Sequence, residues 1–255
     1  MTSAARQPAS FARTGRYPTV IAHRGASARV PENTLPAFLA AWADGASWVE
    51  ADTQPTADAV PVILHDGDLD RTTSGSGPVR RHTAADVANL RITGLPGARV
   101  PELAALLELL TGDRAVLLEI KGEHSAREVA GILRSCAASG RDGQVYLQSF
   151  DEAALRHLRA QQPGRPFGLL VERLDGDPVR RCRELGAVAY HPDYRAVLAD
   201  PAVVPALHVA GIAVAVWTCD DPTGWELLTA AGVDAIITNT PADLLAWQAS
   251  RSAAG

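Results

Sequence analysis

The sequence predicts an α/β protein of the (β/α)₈ barrel class. From Thr19 onward, short apolar segments rich in β-branched residues alternate with segments of helical periodicity. This alternation is typical of parallel sheets with helical crossovers. Several helical segments end at a glycine and a strand follows almost at once, as at Gly186 and Gly211. The length of 255 residues suits one barrel. We therefore expect a single barrel domain over residues 17–249, preceded by a flexible N-terminal tail over residues 1–16.

The strand count exceeds that of a simple barrel by one. The candidates are residues 19–23, 48–52, 61–65, 115–121, 144–150, 167–171, 187–191, 213–218 and 235–238. Only Thr53 to Val60 separate the second candidate from the third. Parallel neighbours need a crossover of about a dozen residues or more. The third candidate is therefore predicted to return antiparallel, within a small insertion over about residues 53–110. The helix of the second barrel strand is predicted to begin near Pro101.

The composition excludes several classes of function. The formal net charge is −5, and no basic stripe of the kind that nucleic-acid binding needs is present. No apolar segment approaches the roughly 20 residues of a membrane span, and the first 15 residues lack the apolar core of a signal peptide. Three widely spaced cysteines fit a reducing compartment. We expect a cytoplasmic monomer or homodimer.

Polar residues gather at the predicted carboxyl ends of the strands, where barrels of this class form their active sites. Glu50 and Asp52 are two residues apart and project on one side of their strand, and so do Glu119 and Lys121. Three carboxylates in one barrel mouth repel each other unless a cation lies between them. Oxygen ligands suit Mg²⁺ or Ca²⁺, and possibly Mn²⁺. We therefore predict a divalent metal site formed by Glu50, Asp52 and Glu119. The alternative is that these acids only form ion pairs with Arg24 and Lys121.

Two histidines follow apolar strands in the same region. His23 ends the first strand and His65 ends the extra strand. A single histidine is usually structural, but two facing one mouth suggest a general acid and a general base. His191 also ends a strand, and we favour a structural role for it. The remaining histidines are predicted to lie in loops or on helix surfaces: His82, His124, His157 and His208.

An ordered series of short motifs resembles the glycerophosphodiester phosphodiesterase family. The motifs are residues 21–25 (IAHRG), 31–34 (PENT), 50–52 (EAD), 65–66 (HD), 71–73 (RTT), 118–121 (LEIK), 216–218 (VWT) and 232–241 (GVDAIITNTP). Single motifs are weak, but the ordered set is highly specific. The resemblance covers nearly the whole chain, from about Val20 to Leu245.

The resemblance implies hydrolysis of a small glycerophosphodiester to sn-glycerol 3-phosphate and an alcohol. It gives the metal site to the three carboxylates and the acid and base roles to His23 and His65. By the same resemblance Arg24 and Lys121 hold the phosphate, and Trp217 lines the substrate pocket. Glu32 and Asn33 would support the site from behind, although Asn33 could simply cap a helix. The attacking group can be a glycerol hydroxyl, through a cyclic phosphate, or water.

Three other functions compete with this interpretation. A lysophospholipase D or a sphingomyelinase-D-like enzyme would need an apolar rim for its lipid, whereas the insertion is polar, with Arg80, Arg81 and His82. A non-catalytic phosphate-ester-binding barrel would be expected to lack one of the metal ligands or histidines, and here each position is filled. Cleavage of nucleic acid is disfavoured by the acidic balance.

Overall fold

Eight parallel strands form a closed barrel. The computed structural model describes residues 15–252, so the predicted tail lies largely outside the described residues. The barrel strands are β1 (Thr19–Ala22), β2 (Trp48–Pro55), β4 (Ala115–Ile120), β5 (Val145–Ser149), β6 (Phe167–Val171), β7 (Ala189–Pro192), β8 (Ala213–Val216) and β9 (Ala235–Thr238). Strand β1 pairs in parallel with both β9 and β2, which closes the sheet. The predicted fold class is confirmed.

The extra strand is antiparallel, as its short connection predicts. Strand β3 (Pro61–Ile63) pairs with the end of β2 in the register Thr53 to Ile63. Behind it the insertion contains a short 3₁₀ turn (Val79–Arg81) and helix α2 (Ala84–Ala88). Its apolar side chains form a small cluster of their own, which includes Leu69 and Val87. The insertion is thus anchored beside the barrel mouth through β3.

Helices cover the outside of the barrel. They are α1 (Leu35–Ala43), α3 (Leu103–Glu108), α4 (Ala126–Ser139), α5 (Glu152–Gln161), α6 (Pro178–Leu185), α7 (Tyr194–Ala199), α8 (Val203–Val209), α9 (Pro222–Ala231) and α10 (Pro241–Ser252). The side chain of Asp151 caps α5 and that of Asp221 caps α9. Gly186 closes α6 in the left-handed conformation. In residues 15–252, no helix has the length and apolar character needed to cross a bilayer.

The core has two layers, which leave the carboxyl edge of the sheet for polar groups. Inside the barrel, a compact cluster includes Ile21, Leu117, Tyr146 and Ile237. A larger cluster fills the space between the strands and the helices, and it includes Phe38. Because all eight strands are parallel, their carboxyl ends meet at one rim. That rim brings together residues that are far apart in the sequence.

Candidate active site

The three predicted metal ligands meet at the mouth of the barrel. Glu50 and Asp52 extend from β2 and Glu119 from β4, and Asp52 is paired in register with Glu119. One oxygen of each carboxylate lies within 4.8 Å of the corresponding oxygens of the other two. All three side chains are almost completely buried. The i, i+2 spacing read from the sequence therefore places these oxygens as predicted.

Two cations and one amide surround this cluster. Arg24 Nε lies 3.2 Å from Asp52 Oδ2, and Lys121 Nζ lies 3.0 Å from Glu119 Oε1. Asn33 donates from Nδ2 to Asp52 Oδ2 at 2.8 Å and accepts at Oδ1 from the Asp52 backbone N–H at 3.2 Å. Thr34, not Asn33, caps α1. The capping alternative for Asn33 is therefore wrong, and this amide orients a carboxylate.

The charges of the cluster are not balanced by these two cations. Burial, followed by the negative charge of Asp52, raises the pKa of Glu50 well above its usual range. The same two causes raise the pKa of Glu119 to about 8. Burial also acts to raise the pKa of Asp52, but the positive charges of Arg24 and Lys121 outweigh it. The pKa of Asp52 therefore lies below its ordinary value. Two of the three acids thus resist ionisation when no further positive charge lies beside them. Three converging carboxylates suit a hard divalent cation.

His23 is held by a chain of hydrogen bonds that the sequence analysis missed. The Asp220 carboxylate, which can only accept, receives the Asn239 Nδ2 and backbone N–H groups at 2.6 and 2.7 Å. The carboxamide oxygen of Asn239 therefore faces His23 Nδ1 at 2.8 Å. The ring must donate from Nδ1, which leaves the lone pair on Nε2. Burial, followed by the charge of Arg24, lowers the pKa of His23 to about 4. His23 is thus neutral near pH 7.

His65 has a different partner. Its Nδ1 lies 2.7 Å from Asp66 Oδ1. Arg71, with some contribution from His65, lowers the pKa of Asp66 to about 2 although partial burial opposes the shift. The carboxylate beside this imidazole therefore stays ionised at neutral pH. Arg71 also contacts Glu32, which accepts a 2.9 Å hydrogen bond from Arg24. Asp66 and Arg71 were noticed in the sequence only as parts of motifs.

Aromatic side chains form one wall of the mouth. The ring of Phe150 stands edge-to-face on Trp217, with centroids 5.4 Å apart and planes at 88°. Trp217 donates from Nε1 to the His191 carbonyl oxygen at 2.8 Å. Lys121 Nζ lies 5.9 Å from the centroid of the Phe150 ring, whose side chain is 39% exposed. The structure therefore adds Phe150 to the predicted Trp217.

Two other histidines near the barrel mouth have buried side chains. His191 is fully buried inside the barrel, where its Nδ1 lies 2.6 Å from Gln148 Oε1. This position supports the structural role favoured from the sequence. His124 lies in the loop before α4, in line with the predicted loop or helix-surface position, but its side chain is only 4% exposed. It lines a cleft of about 1120 Å³ beside Lys121.

The comparisons with known proteins agree with this geometry. The model of the glycerophosphoryl diester phosphodiesterase family matches residues 23–243. The chain belongs to this family. A glycerophosphodiester phosphodiesterase from Caldanaerobacter subterraneus subsp. tengcongensis is 32% identical over 235 residues, covering 89% of this chain and 96% of the relative. One from Bacillus subtilis is 29% identical, over 87% and 83% of the two chains.

Solved structures show the same barrel. A phosphodiesterase from Oleispira antarctica, in complex with the product sn-glycerol-3-phosphate, superposes with a TM-score of 0.85 at 26% identity, covering 91% of this chain and 97% of that one. A glycerophosphodiester phosphodiesterase from Agrobacterium tumefaciens gives 0.79 at 29% identity, over 90% and 99%. Family membership and these relatives identify the chain as a phosphodiesterase.

Proposed function

We propose that this phosphodiesterase hydrolyses glycerophosphodiesters to sn-glycerol 3-phosphate and an alcohol, using a divalent metal and two histidines. The observation that carries the proposal is the convergence of three buried carboxylates, two cations and two imidazoles at one barrel rim. The bound product of the Oleispira antarctica relative supports a glycerol phosphate as the product here.

Glu50, Asp52 and Glu119 would hold the metal. A divalent cation bound there would offset their mutual repulsion and stabilise the negative charge that develops on the phosphoryl oxygens. Asn33 keeps Asp52 turned toward the cluster through its two hydrogen bonds. The Arg24 backbone N–H donates to Glu50 Oε2 at 3.1 Å and fixes that carboxylate. The residues at this site thus fit Mg²⁺, Ca²⁺ or Mn²⁺.

Arg24 and Lys121 would bind the substrate phosphate. Both lie at the rim with side chains 17% exposed, so each can reach an anion in the mouth while it contacts Asp52. A phosphodiester resists attack because its negative charge repels nucleophiles. Fixed cations reduce that repulsion and cost no reorganisation during the reaction. Trp217 and Phe150 would exclude water from one side of the bound ester.

The two histidines would divide the proton transfers. His23 is neutral at pH 7 and carries its lone pair on Nε2, so it would act as the general base toward the attacking hydroxyl or water. His65 Nδ1 lies 2.7 Å from the ionised Asp66 carboxylate, which orients the ring, so His65 would protonate the leaving alcohol. The attacking oxygen can be a glycerol hydroxyl or water in this scheme.

The deciding experiment measures sn-glycerol 3-phosphate release from glycerophosphocholine and glycerophosphoethanolamine. The enzyme is assayed after EDTA treatment and again with Mg²⁺, Mn²⁺ or Ca²⁺ restored. We expect release only with metal, and its loss in Glu119→Gln but not in Glu108→Gln, an exposed acid on α3. Equal activity with and without metal would refute the metal site, and release from lysolipids alone would refute the substrate class.

The histidine roles need separate variants. Replacing His23 or His65 by Ala should lower kcat about 10²- to 10⁴-fold, because that is the usual contribution of a positioned acid or base. His157→Ala, on the outer helix α5, is the matched control. A kcat within about threefold of wild type in either site variant would remove that histidine from the mechanism.

A further inference from the structure

Arg71 connects two parts of the site that the backbone does not join directly. It lies in the insertion, between β3 and the 3₁₀ turn. Its Nη1 and Nη2 donate to the two oxygens of Glu32 at 3.1 and 2.8 Å. Its Nε and Nη2 donate to the two oxygens of Asp66 at 2.5 and 3.1 Å. One guanidinium is thus bidentate toward two carboxylates on separate segments.

Each of these carboxylates has a second partner in the site. Asp66 Oδ1 contacts His65 Nδ1 at 2.7 Å, and Glu32 Oε1 accepts from Arg24 Nη1 at 2.9 Å. A continuous chain therefore runs from His65 through Asp66, Arg71 and Glu32 to Arg24. It links the proposed general acid with a proposed phosphate ligand, 41 positions apart in the sequence.

The chain suggests a role in orientation more than in stability. The Arg71 side chain is 48% exposed, and Asp66 and Glu32 are 24% and 23% exposed. Ion pairs this exposed contribute little to stability because water screens them. Their bidentate geometry does restrict the orientation of the Glu32 and Asp66 side chains, because it fixes which oxygen of each carboxylate faces the site. Loss of the guanidinium would leave both carboxylates free to rotate away from their partners.

We propose that Arg71 is a positioning residue that sets His65 and Arg24 relative to each other across the barrel mouth. The inference rests on the proposed function for the roles of those two residues. Arg71 itself touches neither the carboxylate cluster nor the aromatic wall in the described part of the chain. Arg24 keeps its own 3.2 Å contact with Asp52 when Arg71 is removed, so the effect should appear in turnover more than in folding or in substrate binding.

The test compares Arg71→Met and Arg71→Lys with Arg91→Met. Arg91 is an exposed arginine of the same insertion whose side chain, within residues 15–252, makes no hydrogen bond or ion pair. We expect Arg71→Met to lower kcat about 10- to 100-fold, as loss of a supporting hydrogen-bond partner does elsewhere. KM should change less than about threefold, and the thermal midpoint should stay near that of Arg91→Met. Lysine should restore little activity, because it cannot bind two carboxylates in a bidentate manner.

Added guanidinium should partly restore kcat in Arg71→Ala and leave Arg91→Ala unchanged. A kcat for Arg71→Met equal to that of Arg91→Met would overturn the inference, and so would full activity in Arg71→Lys. Failure of the wild-type enzyme to release sn-glycerol 3-phosphate would instead refute the proposed function.

Proton NMR of ¹⁵N-histidine-labelled protein tests the same inference without turnover. The His65 ring N–H signal, assigned by its absence in His65→Gln, should weaken in Arg71→Met and persist in Arg91→Met. An unchanged signal in Arg71→Met would also overturn the inference.

Discussion

Without a metal ion at the carboxylate cluster, the free energy of unfolding of this protein should depend on pH in an unusual direction. In the metal-free protein, burial and the charge of Asp52 raise the pKa of Glu119 from its ordinary 4.5 to about 8. Between these values the folded protein holds a proton that the unfolded chain has already released. The free energy of unfolding therefore falls as pH rises from about 4.5 to about 8. A carboxyl group whose pKa is lowered by folding has the opposite effect, because it raises the free energy of unfolding as pH rises.

The size of the effect follows from the same values. The interval from 4.5 to about 8 spans about 3.5 pH units, and each unit is worth about 1.4 kcal/mol. Glu119 alone would therefore cost about 5 kcal/mol at pH 8 or above, as an upper bound. Glu50, whose pKa is also raised, adds to the cost. At pH 7, metal binding should displace a proton from Glu119, because ligands must be deprotonated.

The first assay is urea unfolding of EDTA-treated protein at several pH values between 5 and 8. The second is calorimetric metal titration at pH 7 in two buffers of different ionisation enthalpy, which measures the protons released on metal binding. The wild-type protein should lose stability toward pH 8, whereas Glu119→Gln should lose much less. Glu108→Gln should behave as wild type. A free energy of unfolding that is flat or rises over this interval would refute the reasoning, as would metal binding without proton release.

Three further variants test other parts of the site. Asn239→Leu removes the acceptor of the His23 Nδ1 proton and should lower kcat about 100-fold with KM little changed. A rise in KM as large as the fall in kcat would argue against a role in ring orientation. Phe150→Ala should raise KM about 2- to 10-fold, because the ring would no longer cover one side of the bound ester or hold Trp217 in place, and an unchanged KM would exclude the aromatic wall from binding. Gly25→Ala should lower the thermal midpoint by at least about 5 °C, because Gly25 has φ +86° and a Cβ there would lie 2.5 Å from the backbone of α1; a midpoint within 1 °C of wild type would contradict this packing.

The sequence alone determined the strand framework and the carboxylate cluster. Glu50 and Asp52 must share one side of β2 because side chains alternate along a strand. The short connection before β3 excluded a parallel crossover, so the hairpin and the count of eight barrel strands followed. Both inferences use only local chain geometry, and they did not need to know which elements meet in space.

Only the tertiary structure decided which residues support the site. Asp220 and Asn239 come from different strand ends and meet His23 only because β1 and β9 pair in the closed barrel. The burial of His124 was missed for a similar reason: a polar loop in the sequence gives no sign of the elements that cover it. Arg71 reaches Glu32 across 39 positions. Such contacts depend on barrel closure and on where the insertion lies, and sequence spacing carries no record of either.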